Sequence, residues 1–523
     1  MARRPTMAKP KDYADMKVSE LRDTHPYYDA NIRKWKLYIA AYEGVDAMVD
    51  LGVFEKHERE SDENYNRRMN ELYGFNYTKA IVELFNLYLF KRVPKRDLGV
   101  LQDDIEWERF GKDCNYDGMD WDKFLLMQSL MSNVYGHVGV LVDSPDHEAM
   151  TLEEQRAYGI YPYVSSYHPP AILDWEYKRQ PSGHYRLEYV KLKDDDGTFR
   201  IWTPDSWYIY EEPDDDDKEI WYYANNRRKS PDAVKAVLVN SGAHELGEVP
   251  FVWVYNTRSR KRCVGTSDVV DIVKIDISIV RNLSQGEEVI CYGAFPMMRK
   301  PWPEKGADRD NKVSVGSKAV LGFDPERPET KPDWLSAAVG EPIQAILSWL
   351  DRKVQEIYRI AQSGGQTATE VNSQPKSGIA LKTEFQLLNS KLVSKGDNLT
   401  EAELSIIKLW LLWQGKGDLF EDIVVQRDKT YDVEDLKEDL ENVLTSLTIV
   451  RNPRFTAMMK KAVVRMMLPN YTESELSEID QAIMEEVERA DIFSRVKEES
   501  ELSFYLGVGN EDEEDEAEGS QTQ

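Results

Sequence analysis

The chain has 523 residues, enough for several hydrophobic cores, and its 41% hydrophobic and 11% aromatic content is that of a folded protein rather than a disordered one. A formal net charge of −27 excludes a protein that grips nucleic acid by neutralising phosphates, which needs clustered Lys and Arg. Three scattered cysteines, Cys114, Cys263 and Cys291, argue against a disulfide framework or a zinc site, and no apolar run reaches the ~18 residues of a membrane-spanning helix.

Residues 1–25 are polar and read as a flexible arm. The basic start, Met1 to Pro10, has no apolar segment behind it, so no ordinary secretory signal is expected. From about His25 to Phe110 the pattern is helical. Ala80, Ile81, Leu84, Phe85, Tyr88 and Leu89 form an apolar face within Asn64–Phe90, and Pro94 marks a boundary. Trp121–Met131 reads as another helix. It runs into Gly136–Asp143, a short apolar stretch with the character of a buried strand.

Between Tyr161 and Tyr255 the signal turns to strands. Aromatic and β-branched residues alternate with polar ones in Arg186–Leu192, Thr198–Trp202 and Trp207–Tyr210. Asp194–Gly197 reads as a hairpin turn, since Asp-Gly supplies positive φ angles. A calcium loop there is disfavoured by Leu192 and Thr203, which stand where that pattern needs acids. Asp214–Asp217 reads as a solvated acidic turn.

Ser267–Gln285 is rich in Ile and Val. Its polar residues Asp271, Lys274, Ser278, Arg281 and Gln285 nevertheless recur at three- and four-residue steps, which predicts a helix capped by Ser267, with Asp268 and Asp271 at the positive end of its dipole. Residues 288–338 are irregular and proline-rich, with short strand-like runs near Met297 and at Ala319–Leu321. Glu341–Gln362 is helical, with Ile343, Ile346, Leu347, Leu350, Val354 and Ile357 on one face. The polar stretch Ser363–Gly378 separates it from a second long helix, about Ile379–Trp413. A long polar loop between two long helices is functional or disordered. Asp422–Gln426 reads as a lone strand. Helices follow at Val433–Ser446, Pro453–Met467 and Glu473–Ala490, the last opened by a Thr472/Glu475 capping box. Glu511–Glu518 is nearly all acidic and reads as a disordered tail.

No Gly-x-x-x-x-Gly-Lys-Ser/Thr loop, His-Glu-x-x-His or Gly-x-Ser-x-Gly occurs, which argues against an ATP motor of the usual kind, a zinc protease and an elbow hydrolase. His137 and His168 read as structural. With 94 Asp and Glu residues, close acid pairs arise by chance and none stands out as a glycosidase pair. The 13 Trp residues serve cores or subunit interfaces; composition leaves both open.

The order of elements, helical part, β region, helix, irregular insertion, helix, polar loop, long helix, strand and helical cluster, resembles that of a tailed-bacteriophage portal protein. Local segments resemble the family too: Tyr167–Trp175 a strand of the wing, Val249–Asn256 with Gly265–Asp268 the approach to the first stem helix, and Ser377–Lys382 the segment leaving the tunnel loop. The resemblance spans about residues 25–505. It implies an α+β, mainly α-helical portal fold with wing, stem, clip and crown, assembled as a ring, commonly of twelve subunits. The implied division is a flexible arm (1–25), wing (26–264), stem helices (265–287 and 339–362), clip (288–338), tunnel loop (363–378), long helix returning to the wing (379–432), crown (433–505) and acidic tail (506–523).

No enzymatic activity, cofactor or metal is implied. The implied place is the virion, at one capsid vertex. The implied partners are the terminase large subunit, a head–tail adaptor, major capsid and scaffold proteins, and double-stranded DNA passing through the channel; no membrane is involved. In this scheme Gln366, Thr367, Asn372, Ser373, Gln374 and Lys376 face DNA, with Lys382 and Lys391 as further candidate cations if they point inward. Phe295, Trp302 and Trp334 dock the motor and connector, or else bury the insertion's own small core. Ile272, Ile279, Leu347 and Leu350 pack the stem. The competing readings are an acidic, aromatic-rich hydrolase and another head-assembly factor.

Overall fold

The computed structural model describes residues 13–58, 60–145, 154, 158–213, 235–294, 297–299, 333–335, 340–361, 378–429, 431, 453–467, 479–486 and 489. The chain divides into two compact units, Met1–Tyr431 and Asp432–Gln523. The fold is α+β.

In the first unit, five helices come before any strand: α1 (Val18–Arg22), α2 (Pro26–Glu43), α3 (Val45–Asp50), α4 (Asp62–Asn70) and α5 (Tyr77–Leu89). After β1 (Lys95–Asp97) come α6 (Ile105–Lys112) and α7 (Trp121–Tyr135). Polar caps set these starts. Ser61, Asn76 and Asp120 each accept a backbone N–H three residues on, satisfying donors a helix leaves open. α7 ends at Gly136, whose φ of +94° is the left-handed conformation that glycine tolerates.

β2 (His137–Asp143) follows at once and is buried along its whole length. It is the central strand of a three-stranded antiparallel sheet, flanked by β3 (Tyr163–Tyr167) and β9 (Phe251–Tyr255). A continuous apolar run is what a strand covered on both faces requires. Between β3 and β9 the chain forms a five-stranded antiparallel meander, β4 (Ile172–Arg179), β5 (Tyr185–Lys193), β6 (Phe199–Trp202), β7 (Ser206–Glu211) and β8 (Val237–Ala243). The predicted hairpin turn joins β5 to β6, with Gly197 at φ +93°.

Residues 13–25 are not a loose arm. Met16 and Leu21 are buried against Leu173, Tyr189, Phe199, Ile201 and Tyr210 of the meander, and Val18 is buried as well. The Lys191 ammonium donates to the carbonyls of Glu20 (2.8 Å) and Asp23 (2.5 Å), closing the end of α1. The polar look of the segment hid these three buried apolar residues.

A short antiparallel pair, β10 (Thr257–Arg258) with β11 (Gly265–Thr266), leads to α8 (Val273–Ala294). The helix starts later than Ser267 and runs past Gln285 into the expected clip. Ser267 does not cap it: its hydroxyl donates to the Val134 carbonyl (2.5 Å) and accepts from the Val269 N–H (3.1 Å). The strand β12 (Met297–Arg299) pairs antiparallel with β13 (Asp333–Leu335). Then come α9 (Gly340–Ala361) and the 36-residue α10 (Gly378–Trp413). β14 (Val424–Gln426) is not a lone strand: it pairs antiparallel with β1, far away in sequence. In the second unit α11 spans Pro453–Met467, as its spacing predicts. The expected helix at Val433–Ser446, the Thr472/Glu475 box and the acidic tail lie outside the described residues.

Candidate functional site

α8 and α9 lie against each other and run antiparallel. The Lys353 ammonium reaches the Ser278 hydroxyl (2.7 Å), while Ile346 lies 3.8 Å from where a Cβ on Gly286 would sit. The β12–β13 ladder continues the same antiparallel pairing beyond the helices. Against the pair pack α5 and the first half of α10. Ile272, Ile279, Leu350, Ile357, Ile81, Phe85, Leu388 and Leu392 share one core. Burying each such side chain contributes roughly 1.5–3 kcal/mol before entropy is set against it.

Three of the four predicted stem residues, Ile272, Ile279 and Leu350, therefore meet in one core. Leu347 does not: it is 48% exposed. Trp334 sits in β13 opposite Met298. Phe295 and Trp302, and the loop residues Gln366, Thr367, Asn372, Ser373, Gln374 and Lys376, lie outside the described residues. Lys391 is not available to a passing phosphate. Its ammonium sits 3.0 Å from Asp268 Oδ1 and over the Phe85 ring, 4.3 Å from the centroid.

A buried polar node anchors the pair at its root. Lys395, on α10, donates to Asp268, to Asn133 Oδ1 (2.8 Å) and to Asn256 Oδ1. Its ammonium also lies over Phe85. These partners come from the end of α7, the end of β9 and the approach to α8. The Asp268 N–H donates to the Asn133 carbonyl (3.0 Å), and Asn398 to the Asn256 carbonyl (3.0 Å). Burial lowers the Lys395 ammonium to about 8 despite its partner. Burial alone would raise Asp268, but Lys395 and Lys391 overcome it and hold the carboxyl below its ordinary value.

Glycines make room beside this node. A Cβ on Gly265 would sit 1.8 Å from the Gly136 carbonyl oxygen, so the backbones of β11 and the α7–β2 turn touch directly.

A second node pins α10 further along. Glu403 is fully buried and accepts from Arg96 Nε (2.6 Å), Trp121 Nε1 (3.2 Å) and Arg427. Arg96 and Arg427 lie on and beside β1 and β14, so this carboxylate ties that ladder to α10. A third polar contact holds α8 to α5: Asp276 accepts from the Thr78 N–H (3.0 Å) and hydroxyl (2.6 Å). Burial raises its carboxyl above the ordinary value.

Sequence reasoning missed Lys395 and Glu403, and read Asp268 only as a dipole partner. The signal was present. On α10 the stripe Leu388, Leu392, Lys395, Leu399, Glu403, Ile406 keeps helical spacing, with a charge at two of its positions. A charge on an apolar stripe marks a buried, paired group. Among the described residues no cluster of three His, Cys, Asp or Glu could hold a metal, and His137 is buried and pushed down to about 3 by desolvation.

No protein-family model matches the chain, and no curated protein matches it. Among solved structures it is similar to a chain in the virion of a native gene transfer agent particle, at 9% identity and a TM-score of 0.42, over 80% of this chain and 99% of that one. Overlap of that size is too low to establish a common fold.

Proposed function

We propose that the chain is a portal subunit: a ring-forming virion protein at one capsid vertex, through which a double-stranded DNA genome is packaged and ejected. The observation that carries this reading is the antiparallel pair α8–α9. It brackets a long proline-rich stretch, closes on a two-stranded ladder, and is rooted by buried charges in the long helix α10, with a polar stretch between α9 and α10. A rod of paired helices with its tip in a proline-rich insertion suits a stem that offers a clip to the packaging motor and later to a head–tail adaptor. The polar stretch at the other end suits a tunnel loop.

The chemistry is that of a conduit rather than a catalyst. Strong negative charge keeps phosphates off the wall, so DNA moves past without tight binding. The loop residues Gln366, Thr367, Asn372, Ser373 and Gln374 can donate to phosphate oxygens with no charge, and Lys376 adds one cation per subunit. Scaffold and major capsid proteins would meet the outside of such a ring.

Negative-stain imaging of the purified protein tests the proposal. Rings with a central hole are expected. A field of single globular particles across a range of protein concentrations would overturn it.

A further inference from the structure

α8 carries two different flanks that the other described residues leave open. At about 100° of rotation per residue, Lys274, Ile275 and Ser278 fall on one side of the helix. Ser284, Glu287 and Cys291 fall roughly 150° away, with the core-facing Ile272, Ile279 and Leu283 between them.

The first flank lines a groove of about 690 Å³ shared with α9. Its floor is apolar, made by Ile275 and Trp349, and Trp349 is 57% exposed. Three cations, Lys274, Arg352 and Lys353, stand around it against one acid, Glu356. The Glu356 carboxylate is shared between Arg359 (2.6 Å), which lies outside the groove, and Arg352 (3.6 Å) within it, so Lys274 and Lys353 keep the groove cationic. In a chain of net charge −27, a cationic aromatic groove is a local exception.

The second flank lines a smaller cavity of about 270 Å³ with the end of α4 and the turn after it. Glu71, Glu287 and Glu288 line it with Arg67 and Arg68, and Arg68 is engaged by Glu60 at 2.8 Å. Beside it Tyr73 and Phe75 stand 46% and 55% exposed, edge to face. This side is acidic where the first is basic, and both carry large exposed aromatics. Such rings are costly to leave in water and are enriched at interfaces.

We infer that the two flanks are the two halves of one interface between copies of this chain. The Trp349 groove of one copy receives the Tyr73–Phe75 and Glu287–Glu288 edge of the next. The charges match, and because the halves are different patches on opposite sides of one helix, the contact is heterologous. Repetition of such a contact makes a ring or a filament, never a closed pair. This inference rests on the ring reading above and adds the surfaces that would build it.

Cysteine cross-linking of the full chain tests it. Cys291 is exposed on the acidic flank, while Cys114 and Cys263 are buried. In Lys274→Cys a second exposed thiol stands on the basic flank. A short bismaleimide should then give a ladder of dimers, trimers and higher species on a denaturing gel. The unaltered chain should give none.

Charge reversal supplies a second readout. Arg352→Glu with Lys353→Glu should abolish the assembled species, and adding Glu287→Lys with Glu288→Lys should restore it. Rings that cross-link only to dimers, or not at all, overturn the interface while leaving the ring reading intact. Assembly undiminished by the first charge reversal overturns it as well. An unaltered chain that stays monomeric overturns both.

Discussion

Lys395 shows how one side chain can hold a junction together. It is buried, its attraction to Asp268 is offset by the cost of taking both charges from water, and the pair adds little net stability. Removing one partner is another matter, because Asp268 stays buried beside a single, partly exposed lysine. Lys395→Met should lose about 3–5 kcal/mol in urea denaturation, and Lys391→Met less than about 1 kcal/mol; equal losses would mean the node is not built as described. His137 gives a pH test. Its folded value of about 3 lies below the ordinary 6.5, so between those limits the unfolded chain binds a proton that the folded chain refuses. Stability should therefore fall as pH drops from 6.5 towards 3, by about 1.4 kcal/mol per unit from this group. His137→Gln should flatten the slope by that amount between pH 6 and 4. Identical slopes would show that the imidazole charges in place. His137 was legible as structural because it sits in an apolar run. Lys395 was not, because a lysine's partners from three distant segments leave no local trace.

The helical pair is where element-level reasoning succeeded best and where its error is instructive. The spacing of α9 located the helix to within a residue at each end, yet Leu347 was placed in the seam. It lies roughly 80° around the helix from Ile357, at the edge of the apolar stripe, whereas Ile357 is fully buried. Ile357→Ala should cost about 2–5 kcal/mol and Leu347→Ala no more than about 0.5 kcal/mol, read from denaturation midpoints of the two variants. A reversed order would mean that α9 turns a different face to α8. The late start of α8 has a tertiary cause: residues 267–269 are drawn into the Lys395 node and the Ser267 contacts before the helix begins. β14 was visible as a strand but its partner was not, since β1 lies some three hundred positions earlier. Residues 13–25 failed for the opposite reason: a few apolar residues in a polar segment are enough when a sheet face waits for them.

At the scale of the whole molecule, charge and architecture point the same way. Strong net negative charge, an antiparallel pair of helices and a polar stretch beside α10 are the features on which the proposed role as a DNA passage rests. The order of elements was legible because each long helix and strand run announces itself by periodicity. What the loop touches was not, since small polar residues serve a connector and a DNA contact equally well. Deleting Gln366–Gln374 should leave assembly unchanged and reduce the DNA packaged or retained per particle; full packaging by the deletion variant would remove that role. The most direct measurement is the mass of the purified protein in solution by sedimentation. A ring predicts one species of many hundreds of kilodaltons that persists on dilution, and a single species at the 60.6 kDa of one chain would contradict it.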